Sequence, residues 1–122
     1  MVMRRIDIDS PHVDLDVNER LFYAGELYTG EAVEYVGEQI VALDVYVDGL
    51  LNGMSRQWFN DGSLRGEGAV VEGRPTGEHR EWHANGQLAA RRVFDVTGWK
   101  LISEETWNEE GERLTSWASD SA

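Results

Sequence analysis

The chain has 122 residues, the size of one domain, and 41% of them are hydrophobic, so a folded core is expected. Its 11 basic and 23 acidic residues give a formal net charge of −12. That charge disfavours binding to nucleic acid or to an anionic membrane surface, because both need clustered Lys and Arg. It fits either a solvated acidic surface or a basic protein partner attracted by the field. No cysteine is present, which excludes disulfides and zinc–cysteine sites.

Residues 1–20 form an acidic lead-in. Apolar residues alternate with aspartates at Ile6 and Ile8 and again at Val13 and Leu15, which predicts short strands. Two interpretations stay open, a loosely ordered arm or an edge strand that caps a sheet. The lead-in has no apolar segment typical of a secretory signal, and no run of 18 apolar residues follows, so a cytoplasmic protein without a membrane span is expected.

Residues 21–117 contain a repeat of about 24 residues. Gly53–Leu64 and Gly77–Leu88 share a glycine, an arginine, a tryptophan, a second glycine and a leucine at one spacing, which indicates a repeat architecture. Asp61-Gly62 and Asn85-Gly86 are strong hairpin signals, because hairpin turns need residues that tolerate positive φ. With one strand between successive turns, the predicted fold is all-β, an elongated antiparallel meander of β-hairpins. The predicted turn glycines are Gly49, Gly62, Gly73, Gly86, Gly98 and Gly111.

The outer repeats are less regular. Tyr35 takes the tryptophan position of a degenerate first repeat, whereas Trp107 lies one residue late in the last one. An extra residue before Leu114 predicts a bulge or an altered turn. Residues 118–122 are expected to form a flexible tail.

The return strands of the repeats place large side chains at equivalent positions. Tyr46, Val70 and Phe94 fall in register along the sequence, which predicts that they stack as a ladder across the sheet.

The repeat pattern G-x-x-x-x-W-[FH]-x-[ND]-G-x-L resembles the bacterial variant of the MORN repeat, and in particular the YwqK-type antitoxin family. The resemblance covers roughly residues 20–117 and includes the lead-in Leu21–Gly30. It implies a MORN-type repeat sheet over residues 21–117, and an antitoxin or immunity protein that binds a cognate toxin and occludes it. The alternative is a scaffold or adaptor that holds other proteins or lipid.

Aromatic side chains occupy both faces of successive predicted strands. They stabilise the sheet as cross-strand pairs, or they serve as hot spots for a protein partner. The charge predicts that this partner is basic, and the resemblance implies that it is a toxin domain. The candidate partner-binding residues are Phe59, Glu78, Glu81, Trp82, His83 and Trp107.

Catalytic or metal chemistry finds little support in the sequence. His79 and His83 are four apart, and on a strand that spacing separates them by about 13 Å. One metal holds its ligands at about 2 Å, so a shared site is not expected. Gly53–Gln57 lacks the second glycine of a nucleophile elbow. We therefore expect no enzyme activity, no catalytic residue, no metal and no cofactor.

Overall fold

The computed structural model describes residues 3–119, and within that range the regular structure consists of strands without any helix. Glycine-containing turns punctuate the chain between short apolar runs, which is why strands rather than helices form. The strands are β1 (Arg5–Asp7), β2 (Val13–Leu15), β3 (Leu21–Tyr23), β4 (Glu26–Leu27), β5 (Gly30–Val36), β6 (Gln39–Val47), β7 (Leu50–Leu51), β8 (Gly53–Trp58), β9 (Leu64–Val71), β10 (Arg74–Trp82), β11 (Leu88–Phe94), β12 (Leu101–Trp107) and β13 (Arg113–Ala118).

Most strands belong to one large sheet with the order β1-β5-β6-β8-β9-β10-β11-β12-β13. From β5 onward, neighbouring strands in this order pair antiparallel through hairpins, so the predicted all-β antiparallel meander is confirmed. The lead-in supplies β1, which pairs parallel with β5 at the edge, and this bears out the edge-strand interpretation. A separate sheet of β2, β3 and β4 was not predicted from the sequence.

Two kinds of turn recur along the sheet. Asp48-Gly49 and Glu72-Gly73 are two-residue turns in which both residues have positive φ, 48° and 83° in the first and 49° and 82° in the second. That pair of angles matches the type I′ turn of tight hairpins. The six predicted turn glycines all have positive φ.

The turns around Asp61-Gly62 and Asn85-Gly86 are longer than the dipeptides suggest. Gly62 N–H donates to the Phe59 carbonyl at 2.9 Å, and Phe59 N–H donates to the Ser63 carbonyl at 2.9 Å. Only the glycine has positive φ there, which is the geometry of a three-residue loop ending in a left-handed glycine. The same two bonds close the loops at residues 83–87 and 108–112.

A register shift lies at the tryptophan position of every repeat. Trp58, Trp82 and Trp107 each mark a shift in the pairing with the return strand, and Tyr35 does so in the first repeat. In the last repeat Arg113, not Leu114, pairs with Trp107. Arg113 therefore takes the position of Leu64 and Leu88, so the loop contains no extra residue, and the predicted bulge is the one that all four repeats share.

The buried side chains cluster where the lead-in meets the first strands. Leu21 and Tyr28 are 0% and 1% exposed, and they pack with Ile6 and Ala32. Ile6 comes from the lead-in, so residues 1–20 and 21–117 share this core. In the described part of the chain after residue 50, the residues classed as buried are Gly66, Gly68 and Ala90. Strands β8–β13 are therefore a single layer with two accessible faces.

The predicted ladder of Tyr46, Val70 and Phe94 does not form as expected. These residues lie on β6, β9 and β11, which do not neighbour one another in the sheet. Val70 pairs with Gly53 and Phe94 pairs with Gly77, so each large residue faces the opening glycine of its own repeat. The pairing therefore places these large residues opposite glycines rather than beside one another.

The predicted tail at 118–122 begins inside the sheet. Ala118 is the last residue of β13, and Ser119 N–H donates to the Ile102 carbonyl at 2.7 Å. Residues 120–122 lie outside the described residues.

Candidate functional site

An open groove crosses the sheet at the end where the three-residue loops lie. It consists of two adjoining depressions that share Gln57, Phe59 and Arg65. The first extends over β5 and β6, and the second extends over β10 and β11. We call this surface the groove; its remaining lining residues are Glu34, Val36, Val41, Ala42, Asp44, Trp58, Asn60, Glu81, Trp82, His83, Ala84 and Ala89.

The groove is built from the same repeat positions on successive strands. Residues on either side of the tryptophan position share a face, because side chains alternate along a strand. These are Gln57 and Phe59 in one repeat and Glu81 and His83 in the next. Gly66 lies between Gln57 and Glu81, and a Cβ at Gly66 would come within 2.9 Å of the Gln57 amide oxygen. The glycine therefore lets the groove stay deep between neighbouring strands.

Phe59 and Arg65 form the centre of the groove. The Arg65 guanidinium lies 6.0 Å from the centroid of the Phe59 ring, and no carboxylate of the described residues pairs with it. A cation at this distance from a ring face is attracted by the ring quadrupole. The centre of the groove thus offers an apolar ring and a cation.

The carboxylates of the groove differ in their hydrogen-bond and ion-pair partners. Asp44 accepts from the Ser55 hydroxyl at 2.6 Å, and Glu81 pairs with Arg92 at 3.3 Å. The carboxylate of Glu34 has no hydrogen bond or ion pair to any described residue, and the residue is exposed. A ligand cation would therefore meet an uncompensated charge at Glu34.

The opposite face of the sheet carries a network of cross-strand ion pairs. Arg56 pairs with Glu67 at 3.3 Å on neighbouring strands. Further along, Glu105 pairs with Arg91 at 3.5 Å and with Arg113 at 2.8 Å. These charges neutralise one another within the sheet, so this face offers little net charge to a partner.

Glu78 links two like charges within this network. Arg80 and Arg91 are directly opposite each other on β10 and β11. Glu78 accepts hydrogen bonds from both guanidiniums, with Arg91 at 3.2 Å. These bonds, with that from Arg91 the stronger influence, hold the pKa of Glu78 below its ordinary value of 4.5.

Glu78→Gln should therefore destabilise the protein at neutral pH and have little effect in acid. A carboxylate with a lowered folded-state pKa stabilises the fold above its unfolded pKa, and this contribution is lost as pH falls through the folded pKa. We expect a loss of about 1 kcal/mol at pH 7, since the pair is partly exposed. Urea unfolding at pH 7 and at pH 3 measures this loss. The difference in the free energy of unfolding between the wild type and Glu78→Gln should be smaller at pH 3 than at pH 7. Glu72→Gln, at an exposed residue without an ion pair, is the control. If the difference caused by Glu78→Gln is as large at pH 3 as at pH 7, the effect comes from the changed shape of the side chain and not from the loss of its charge.

Four of the six predicted partner-binding residues line the groove, and two lie elsewhere. Phe59, Glu81, Trp82 and His83 line the groove, whereas Glu78 and Trp107 do not. Glu78 lies in a shallow depression among Met54, Glu67, Gly68 and Arg80.

His83 also has a structural contact. Its Nε2 donates to the carbonyl of Trp107 at 2.8 Å, and the neighbouring Asn85 amide donates to the carbonyl of Glu109 at 2.8 Å. Both bonds join one loop to the corresponding loop of the next repeat. The loops that border the groove are therefore fixed relative to one another.

His79 and His83 have separate hydrogen-bond partners. The Nε2 of His79 donates to the Ala69 carbonyl at 2.8 Å, a different acceptor from that of His83. No cluster of three or more His, Asp or Glu residues suited to a metal ion occurs within residues 3–119.

Sequence reasoning missed an exposed apolar pair on the loop between β11 and β12. Val96 is 91% exposed, and Trp99 is 77% exposed with the Arg74 guanidinium 4.5 Å from its ring centroid. This loop lies at the opposite end of the strands from the groove. It falls outside the regular repeat pattern, and the signal that could have found it is a tryptophan directly after a turn glycine.

The acidic charge is concentrated in the first part of the chain. Residues 1–48 contain 11 acidic and 3 basic side chains, a balance of −8, whereas residues 49–122 contain 12 and 8, a balance of −4. Glu34 and Glu38 belong to the acidic part and are both exposed. The groove therefore runs from an acidic end at β5 and β6 into the less acidic part of the chain.

Comparisons of the chain with family models, with curated proteins and with solved structures find no match. Within the described residues no helix is long and apolar enough to cross a membrane. The fold and the groove define the protein as an all-β repeat protein with an open, partly aromatic surface groove.

Proposed function

We propose that this chain is an antitoxin or immunity protein that binds a cognate protein toxin in the groove and occludes it. The observation that carries the proposal is the groove itself, in which Phe59 shares one depression with the unpaired Glu34 and Trp82 lines the adjoining depression, both rings partly exposed. Aromatic residues in a surface depression with a polar rim are the usual composition of protein-binding hot spots. The likeness of the repeats to YwqK-type antitoxins supplies the choice of toxin as partner.

The partner is proposed to be basic, and its approach is driven by charge. A net charge of −12, strongest around the β5 end of the groove, attracts a basic protein over a screening length of about 8 Å at physiological salt. The partner's cations then meet Glu34 and Glu38, and an apolar side chain packs on Phe59. The mechanism is steric, because the bound sheet covers the toxin's own substrate groove.

Co-expression with the product of the neighbouring gene tests the proposal. That product should be lethal alone and harmless beside this protein, and the two should co-purify. Phe59→Ala should raise the dissociation rate about 30-fold, which corresponds to a hot spot of about 2 kcal/mol. Glu34→Lys with Glu38→Lys should mainly slow association, and this effect should fade at high salt.

Trp99→Ala is the matched control, because it removes an exposed aromatic ring far from the groove. It should leave affinity and protection unchanged. Continued lethality in the presence of the wild-type protein, or full protection by Phe59→Ala, would refute the proposed use of the groove. Glu34 and Glu38 are chosen for charge reversal in place of the candidates Glu78 and Glu81, because the latter two are already paired with arginines.

A second candidate is a scaffold that holds two proteins at once. The exposed Val96 and Trp99 favour it, because they form a second apolar site at the other end of the strands. In this case Trp99→Ala and Phe59→Ala should each release a different protein from a pull-down, whereas an antitoxin loses its toxin with Phe59→Ala alone.

A further inference from the structure

The strand β13 leaves one long edge of the main sheet open. All six of its residues are exposed, including Leu114 at 63% and Trp117 at 51%. The opposite edge is β1, a strand of three residues that contains Arg5 and Asp7. Short strands and charges are common protections against edge pairing, and an exposed apolar edge without them is a pairing site.

The backbone groups available on β13 follow from its pairing with β12. Ser119 N–H donates to the Ile102 carbonyl at 2.7 Å, so the backbone of Ser119 points toward β12. N–H and C=O of one residue point to the same side of a strand, and the direction alternates along it. Trp117 therefore also points toward β12, whereas the backbone groups of Ser116 and Ala118 point outward.

We propose that a second copy of this chain pairs with β13 antiparallel about a two-fold axis at Ser116. Side chains directly opposite each other in an antiparallel pair share a face, whereas neighbouring residues of one strand point to opposite faces. Each residue must therefore lie opposite one with the same orientation, which requires the axis to pass through a residue position and not between two residues. With the axis at Ser116, this residue faces its counterpart and both exchange outward N–H···O bonds. Thr115 then lies opposite Trp117 of the second copy, and the sheet continues through the dimer.

The composition of the strand favours a second copy over a different protein. No ionisable side chain occurs between Leu114 and Ser119, so two copies meet here without opposing like charges. The charge that precedes this segment, Arg113, falls opposite Ser119 of the second copy in this register and is already paired with Glu105 at 2.8 Å. The edge also belongs to the less acidic part of the chain, where repulsion between two copies is smallest.

Sedimentation of the whole chain across a concentration series tests the proposal. One strand pair buries less than a standard interface, so we expect a monomer–dimer equilibrium with Kd on the order of 100 µM. Ser116→Pro removes an outward N–H, which edge strands tolerate, and should weaken dimerisation at least tenfold. Higher salt should strengthen the dimer by screening like charges, the reverse of its effect on toxin binding.

A crosslink tests the register independently of stability. The chain has no cysteine, so Ser116→Cys introduces a single thiol. In this register the two thiols belong to residues about 5.5 Å apart between Cα atoms, within disulfide range. Ser116→Cys should form a covalent dimer on mild oxidation much faster than Ser63→Cys on an exposed loop. A chain that stays monomeric to about 1 mM, a Ser116→Pro chain that dimerises like wild type, or equal crosslinking of both thiols overturns the proposal.

Discussion

Leu21→Ala should lower the free energy of unfolding by about 3 kcal/mol. Leu21 is fully buried, and deleting buried methyl groups costs their transfer free energy and leaves a cavity, about 2–5 kcal/mol in all. Its neighbours Ile6, Tyr28 and Ala32 come from three different segments, which cannot all move inward to fill the space. A domain of this size is stable by about 5–15 kcal/mol, so the loss is a large fraction of the total.

The tryptophans make this prediction informative about the whole chain. All five lie after residue 57, on strands β8–β13 or on the loop between β11 and β12, and none lies in the core around Leu21. Strands β8–β13 have no buried cluster of their own, so we expect them to unfold together with that core. The urea midpoint followed by tryptophan fluorescence should therefore shift as far as the midpoint followed by circular dichroism.

Leu15→Ala is the control, because this leucine is 61% exposed on the same small sheet. It should change stability by no more than about 0.5 kcal/mol. A Leu21→Ala protein whose fluorescence midpoint stays at the wild-type value would show that the repeat strands fold independently of the core.

The parts of the fold that the sequence predicted are those set by local chemistry. Gly62 and Gly86 specify their turns within a few residues, and the spacing between successive turns leaves room for one strand. The parallel pairing of β1 with β5 was not predictable in the same way. It joins Ile6 to Ala32 across 25 intervening residues, and alternation alone does not say which strand a short segment will choose.

The candidate site was predictable only in part for a related reason. Phe59 and His83 were singled out because they follow the repeated tryptophan, and the structure does bring them to one groove. Glu78 is a candidate because of its charge, but Arg80 on the same strand and Arg91 on the neighbouring strand both pair with its carboxylate. Such pairing depends on the register of β10 against β11, which a repeat period of about 24 residues does not specify to one residue.

Gly30→Ala should be as damaging as the loss of a core leucine, although it adds only one methyl group. Gly30 has φ of 144°, and a Cβ there would lie 2.7 Å from the Arg4 carbonyl oxygen and 2.6 Å from the Tyr28 hydroxyl. That hydroxyl donates to the Glu31 carbonyl at 2.7 Å, and Glu31 N–H donates to the Arg4 carbonyl at 2.7 Å. The methyl group therefore pushes β1 away from β5, where the backbone cannot yield cheaply. Backbone strain and overpacking together should cost about 3 kcal/mol in urea unfolding.

Gly86→Ala separates the two causes. Gly86 also has positive φ, 89°, but nothing lies within 4 Å of a Cβ there, so the substitution adds strain without a collision. It should cost about 1–2 kcal/mol. Equal losses at the two glycines would mean that strain alone decides and that the contact between β1 and β5 adds nothing. A larger loss at Gly30, accompanied by loss of amide protection at Glu31, would show instead that the lead-in strand is held by close backbone approach, which only glycine permits at this position.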